Sequence, residues 1–342
     1  MDFDLIWERV LNLTRGLVIG LCCGIVITLF AGTVSLAHQI NLSYPFLVLL
    51  CPLAALITQW FYQRFGTGYR ETTSEAIEKI NEIEVEAIDD NLATSQIPKA
   101  IRNTIFPINF ITAFLTHVTG ASGGKEGAGV QIGICTSALL YRIEKKFKNS
   151  KPLLYKYLMC GASAAFGALF GAPIAGIFFG TQFASPNTSR LDSYLSNTAA
   201  SFAAVYISRK LHIHVLHFDR VETLSLTVSN FFLAIVFAIV MGLVSILVTD
   251  AMHKAKGLFH DKAKSPYTAV LVPSLLLMFC NLGIHLYFRT DIYQGMGNEL
   301  FAKIMAGDAN WQSFFLKFVL ILLTYAASFT GGEVVPLLLL GA

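Results

Sequence analysis

Apolar segments follow one another along the chain with short polar breaks. Residues 17–36 and 46–62 form a first pair, joined by a link at 38–45. A polar stretch rich in Glu and Asp fills 64–102. Apolar runs then occupy 105–119, 127–141, 157–183, 195–208, 224–249, 267–288 and 314–329, and a last one starts at Val334. A membrane helix needs about 20 predominantly apolar residues, so this pattern predicts a bundle of spanning helices. The first run is too long for the apolar core of a cleavable signal. The run at 127–141 falls below the roughly 17–25 residues of a full crossing. The run at 157–183 is punctuated by Gly161, Gly167, Gly171, Pro173 and Gly176, which predicts two helices meeting near 171–173. Short and Gly/Pro-interrupted segments are how discontinuous membrane helices around a binding site are built.

Composition supports this. Of 342 residues, 54% are hydrophobic and 14% charged, against about 25% charged in soluble domains. The mean hydropathy is +0.59. A net charge of +3 with no basic cluster gives no basis for a nucleic-acid partner. The six cysteines lie in apolar runs without ligand spacing, so they are expected as small buried side chains. His212, His214 and His217 cluster beside Arg209 and Lys210 and are expected at a membrane surface. No nucleophile elbow, P-loop, HExxH or catalytic carboxylate pair occurs, so no enzyme, cofactor or metal is expected. The link at 38–45 has no Lys or Arg, whereas Arg64, Arg70, Lys79, Lys99 and Arg102 mark the polar stretch and six basic residues crowd 142–156. The positive-inside rule then predicts a multi-pass membrane protein with a cytoplasmic N-terminus.

The chemistry concentrates at Gly123-Gly124-Lys125-Glu126-Gly127-Ala128-Gly129. Between Arg102 and Arg142 only Lys125 and Glu126 are charged. A charge held at that depth costs about 2.5–3.5 kcal/mol even on lenient scales. A helix starting after Glu126 would aim free N–H groups and its positive dipole end at the break, making an anion site. Glu126 is itself an anion and could fill that site when deprotonated and leave it when protonated. The plainer possibility is a Lys–Glu pair satisfied between helices.

Thr330-Gly331-Gly332-Glu333-Val334-Val335-Pro336 echoes the first motif: a glycine pair, one Glu, then a helix start suited to Pro336. Two such breaks suggest an internal repeat with the site at its interface; chance likeness of Gly-rich turns is the alternative. At 66–77, Thr72 with Glu75 fits a capping box. If that helix start dips into the membrane, the Thr72 and Thr73 hydroxyls face the same anion; otherwise it is an ordinary surface helix. The small residues at 161–168 and 171–176 suit close helix packing, a dimer face or a repeat seam.

Together these motifs resemble the CLC family of chloride channels and anion/proton antiporters. Gly124-Lys125-Glu126-Gly127 with Val130-Gln131-Ile132-Gly133 is similar to the family's Gly-Arg-Glu-Gly-Pro signature, with Lys125 for Arg and Ala128 for Pro. Gly171-Ala172-Pro173-Ile174-Ala175-Gly176 resembles its small-residue junction, and Gly332-Glu333-Val334-Val335-Pro336 its second anion-binding helix start. The resemblance implies an all-α integral membrane fold of inverted repeats with broken, re-entrant helices, at 1–212 and 213–342, usually dimeric, in the inner membrane. It implies Glu126 as the gating and proton-coupling glutamate, with Gly124, Lys125, Gly127, Ala128, Thr72, Thr73, Glu333, Val334 and Val335 around the anion. Glu333, and the lack of a Gly-Ser-Gly-Ile-Pro signature near 66–75, resemble the fluoride-exporting branch. Gln182 and Phe183 stand where chloride/proton antiporters carry an inner Glu, so any inner proton path must differ. The expected function is a fluoride/proton antiporter exchanging a halide and protons across the bilayer. The alternatives are a passive anion channel of the same family or a non-transporting remnant, because the resemblance makes a chain ending at Ala342 C-terminally truncated.

Overall fold

The computed structural model describes residues 3–66, 101, 104–147, 153–182, 191–211, 225, 227–308 and 310–341. Among these, the regular structure is helical, with one isolated β-bridge. The helices are α1 (Phe3–Ser43), a 3-10 turn (Pro45–Leu50), α2 (Cys51–Phe65), α3 (Ile105–Val118), α4 (Glu126–Glu144), α5 (Leu154–Phe170) and α6 (Pro173–Gln182). They continue as α7 (Leu191–Lys210), α8 (Val228–His260), α9 (Pro266–Phe288), α10 (Asn298–Met305), α11 (Trp311–Ala326) and α12 (Val334–Gly341). The stretches Ile6–Ser43, Pro45–Phe65, Val228–His260 and Pro266–Phe288 are long and apolar enough to cross a membrane. The capping-box expectation at Thr72 and Glu75 and the histidine cluster at 212–217 lie outside the described residues.

Several boundaries depart from the hydrophobic runs. At 1.5 Å per residue, α1 is about 60 Å long, roughly twice the hydrocarbon core, so it must tilt or extend into the interface. It absorbs most of the link expected at 38–45, leaving Tyr44 as the joint. The polar residues His38, Gln39 and Asn41 thus continue the helix: His38 Nε2 meets Glu299 Oε1 and Asn41 Nδ2 donates to Val118 O. The break expected near 171–173 is present. Gly171 adopts a left-handed φ of 63° as the cap of α5, and Pro173 opens α6. α10 has no counterpart among the apolar runs; it is short and carries Asn298, Glu299 and Lys303.

Small residues set the helix spacing. A Cβ on Gly16 or Gly20 would collide with the Ser196 or Ala200 carbonyl, and one on Gly24 would lie 2.9 Å from the Ile207 Cβ. The positions advance together, so α1 and α7 run parallel in close contact. Likewise a Cβ on Gly133 of α4 would lie 2.7 Å from the Gly161 carbonyl oxygen of α5. The small-residue stripe at 161–176 therefore serves packing inside the subunit. One apolar core joins α1, α3, α4, α5 and α7 through Ile19, Phe30, Ile105, Ile132, Leu158 and Ala200. A second joins α2, α9 and α11 with Phe329 and Leu339. α2 thus packs mainly against later helices, and the two linkers that carry the glycine motifs meet between the cores. At the other end, Arg15 of α1 pairs with Glu144 of α4, which also accepts from the Tyr157 hydroxyl of α5. α8 is largely exposed to its surroundings, as its continuous apolar sequence requires in lipid.

Candidate functional site

Two helix pairs, α3–α4 and α11–α12, are each joined by a seven-residue linker of the same backbone geometry. Thr119 N–H donates to Leu115 O at 3.3 Å, and Ala327 N–H to Leu323 O at 2.9 Å. Ala121 N–H donates to Thr116 O at 3.1 Å, and Phe329 N–H to Thr324 O at 3.4 Å. Gly120 and Ser328 both have positive φ, 73° and 54°. The linkers then meet: Gly124 N–H donates to Gly332 O, and Gly332 N–H to Gly124 O, both at 2.6 Å. Beyond this antiparallel bridge α4 and α12 begin.

Their first internal bonds run from Gly129 N–H to Lys125 O at 3.0 Å and from Leu337 N–H to Glu333 O at 2.9 Å. The preceding amides, Glu126, Gly127 and Ala128 in α4 and Val334 and Val335 in α12, have no acceptor in their own helix. The two starts are close: a Cβ on Gly332 would lie 2.7 Å from Gly127 N and 2.8 Å from Glu126 N. Only a residue without Cβ allows this approach.

The Glu126 side chain folds back over this meeting point. It is 3% exposed. The backbone amides of Glu126, Lys125 and Val335 face its carboxylate, and a Cβ on Gly124 would strike Oε2. Oε2 makes no hydrogen bond. A buried carboxylate thus sits where two helix dipoles converge, a position suited to any small anion.

The structure brings Gly124, Lys125, Glu126, Gly127 and Ala128 together with Glu333, Val334 and Val335 around the bridge. Thr72 and Thr73 lie outside the described residues. The register differs from the echo seen in the sequence. Backbone equivalence pairs Glu333 with Lys125, and Val334 with Glu126, because both glycine pairs end at the bridge. The lone acid of the second motif is therefore not the counterpart of Glu126. Glu333 is half-buried at the start of α12, while Lys125 is buried at the start of α4.

Each linker is braced by the other half of the chain. Ser122 N–H donates to Thr324 Oγ1 at 2.9 Å, and Lys317 Nζ donates to Ser122 Oγ at 3.1 Å. Lys317, fully buried on α11, also donates to Tyr293 O at 3.0 Å and Gly295 O at 2.6 Å. In the second linker, Thr330 Oγ1 lies 3.3 Å from the Tyr62 hydroxyl, which donates to Asn109 Oδ1 at 2.7 Å. Asn109 Nδ2 in turn donates to Gln131 Oε1 at 2.9 Å. Sequence reasoning missed Lys317, Tyr62 and Asn109. The signal for Lys317 was a lone charge in the run at 314–329; a Tyr and an Asn in apolar helices offered none.

Comparison with known proteins matches this architecture. The family model described as voltage gated chloride channel matches residues 79–342. A chloride/fluoride channel protein of Pseudomonas syringae is 25% identical over 329 residues, covering 95% of this chain and 68% of that one. The human H(+)/Cl(-) exchange transporter 5 is 32% identical over 75 residues, 22% of this chain and 9% of that one. The crystal structure of a CLC-type fluoride/proton antiporter aligns with a TM-score of 0.82 at 23% identity, covering 99% of this chain and 80% of that one. A slow cyanobacterial Cl-/H+ antiporter aligns at 0.76 with 19% identity, covering 96% and 76%. The match over most of the chain and a fold built around paired helix starts together make this chain a member of the voltage-gated chloride channel family, the CLC proteins.

Proposed function

We propose that this CLC-family anion transporter is a fluoride/proton antiporter in which Glu126 and the anion compete for one site. The observation that carries this is the Glu126 carboxylate, buried over the bridge with Oε2 unbonded, at the meeting of two helix starts. When ionised it occupies the cluster of free amides. Protonation removes its charge and its claim on the dipoles, so the side chain swings away carrying the proton and an anion takes the amides. Return of the carboxylate expels the anion and releases the proton. Gly124, Lys125, Gly127, Ala128, Val334 and Val335 supply the surrounding backbone and charge.

Fluoride is favoured over chloride on Glu333 at the second helix start and on the structural neighbour that is a CLC-type fluoride/proton antiporter. The two matching linkers support inverted repeats at 1–212 and 213–342. The charge pattern of the loops supports a cytoplasmic N-terminus, and the family resemblance an inner-membrane homodimer. A passive anion channel is the second candidate. Gln182, exposed at the end of α6, is an amide that cannot carry a proton.

The test is fluoride and chloride efflux from liposomes with pH recorded together. Glu126→Gln is expected to keep anion flux and lose proton movement. A Gln variant that still drives protons against an anion gradient overturns the role of Glu126. A wild-type reversal potential indifferent to a pH gradient assigns a channel instead.

A further inference from the structure

Buried polar atoms without a hydrogen bond gather around the first linker: Glu126 Oε2, both ring nitrogens of His117, His38 Nδ1 and Gln294 Oε1. Their residues are at most 7% exposed, and His117, in the last turn of α3, is fully buried. Among the described residues the other such atoms sit on Thr58 of α2, Asn197 of α7 and Asn281 of α9. Each buried group left unsatisfied costs about 1–3 kcal/mol. A cluster of them at one linker therefore points to a use for those atoms.

The atoms follow the linker in order. A Cβ on Gly124 would strike Glu126 Oε2, and the Gly124 backbone also faces the His117 ring without completing a hydrogen bond. Gly120 N–H donates to His117 O at 3.3 Å, and a Cβ on Gly120 would lie 2.7 Å from Gln294 Oε1. Gly295 N–H donates to Gly120 O at 3.0 Å, and a Cβ on Gly295 would lie 3.2 Å from His38 Nδ1. The row thus runs from the Glu126 carboxylate to His38, near the end of α1.

These side chains are held differently. Gln294 Nε2 donates to Asp291 Oδ1 at 2.7 Å, and His38 Nε2 pairs with Glu299 Oε1 at 3.2 Å. A proton on Nε2 serves that carboxylate and leaves the His38 Nδ1 lone pair open. His117 has neither nitrogen tied, so its ring is free to turn over. The charged and titratable groups around it are His38 of α1, Lys125 of the linker and Lys317 of α11. Glu299 of α10 engages His38, and Glu126 adjoins Lys125. A neutral imidazole carries one N–H and one lone pair, so it takes a proton at one nitrogen and gives one up at the other.

We propose that His117 is a proton shuttle that moves protons between the Glu126 carboxyl and the seam of Gln294 and His38, on the side of the membrane where α1 ends. This rests on Glu126 being the exchange site. The O–H bond of the displaced Glu126 carboxyl breaks as an N–H bond forms on one nitrogen of His117. The proton on the other nitrogen leaves for the His38 Nδ1 lone pair, guided by the Gln294 carbonyl oxygen. Turning the ring over restores the starting tautomer. The same steps in reverse load Glu126.

The test uses the full chain in liposomes, with fluoride efflux and pH recorded together. His117→Gln keeps a polar side chain that cannot shuttle a proton. Its proton flux is expected to fall by roughly tenfold or more, and its fluoride flux by less, so the proton-to-fluoride ratio drops several-fold. A purely structural loss lowers both fluxes together, and an unchanged ratio overturns the proposal. Nitrogen NMR of the His117 ring needs no variant at that position. Its signals are expected to move when fluoride is added to the wild type and to stay in place in Glu126→Gln. Signals that ignore fluoride in the wild type, or move equally in both proteins, overturn the proposal. Glu126→Gln in the efflux assay separates the two ideas. If it still moves protons, the Glu126 reading fails; if it loses them while His117→Gln keeps the wild-type ratio, only the shuttle fails.

Discussion

Lys125 and Glu333 occupy the same position in two linkers of one geometry and carry opposite charges. Each directly precedes a helix start, where a cation works against the dipole and an anion with it. Lys125 therefore adds attraction for an anion at the start of α4, while Glu333 satisfies the start of α12 and repels one. The two halves of the site are alike in backbone and unlike in field.

The bridge between the linkers separates two glycines by what a methyl group would strike. At Gly332 a methyl group would strike backbone, Gly127 N at 2.7 Å and Glu126 N at 2.8 Å, besides the Glu126 Oε2 at 2.7 Å. Gly332→Ala must push the helix starts apart, at a cost of about 1–3 kcal/mol in a packed interior, and anion transport is expected to be lost. At Gly124 the closest atom is the Glu126 Oε2, the far end of a flexible side chain, and the nearest backbone atom, Gly332 O, lies farther off at 3.1 Å. Gly124→Ala is expected to fold and transport, with Glu126 displaced and proton coupling weakened. Fluoride efflux with simultaneous pH recording compares them; equal behaviour of the two variants would refute the distinction.

Lys317 ties the first linker, through Ser122 Oγ, to the segment before α10, through Tyr293 O and Gly295 O. Lys317→Met removes a buried charge, a gain, but strands two backbone carbonyls and a hydroxyl. Each stranded group costs about 1–3 kcal/mol, so the net loss is expected at roughly 2–4 kcal/mol. Thermal melting in detergent checks this, and a wild-type midpoint in Lys317→Met would refute it.

How far the sequence disclosed this molecule follows from what each signal depends on. Apolar runs and glycine breaks are local, so the helices at 105–118, 154–170, 173–182 and 266–288 were legible to within a few residues. The ends of α1 and α8 were not, because helices continue past the apolar run wherever polar side chains find water or partners, as His38 does with Glu299. Of the candidate site, the glycines and Glu126 were legible as a lone charge among small residues. The braces were not: Tyr62, Asn109 and Thr330 are distant in sequence, and each is unremarkable until the fold brings them to hydrogen-bond distance. The pairing of Glu333 with Lys125 was hidden for a related reason. Side chains suggested matching Glu to Glu, while the bridge fixes the register by backbone alone.

The tie between α1 and α10 carries a pH signature. The hydrogen bond with His38 holds the Glu299 carboxyl below its ordinary value, outweighing the upward push of partial burial. A depressed acid stabilises the fold above its unfolded-state value, and this contribution disappears as pH falls through the folded-state value. Glu299→Gln is therefore expected to melt below wild type at neutral pH, with the difference closing below the usual carboxylate range near pH 4. Melting curves of both proteins from pH 7 to pH 3 test this; a gap that widens on acidification contradicts it.

Selectivity should rest on the field at the start of α12. Glu333 is half-buried and directly precedes the free amides of Val334 and Val335. An acid in that place opposes every anion when ionised, and when protonated offers an O–H donor that a fluoride accepts better than a chloride, being the smaller and stronger acceptor. Glu333→Ile removes both the repulsion and the donor. Chloride flux is then expected to rise relative to fluoride flux, by roughly tenfold if the lost donor is worth about 1.4 kcal/mol, one charge-assisted hydrogen bond at the lower end of its range. Glu333→Gln retains a donor and is expected to fall between the two. Efflux of each anion from liposomes of all three proteins gives the ratio. An unchanged ratio in Glu333→Ile would remove Glu333 from selectivity and turn attention to the backbone of the two helix starts.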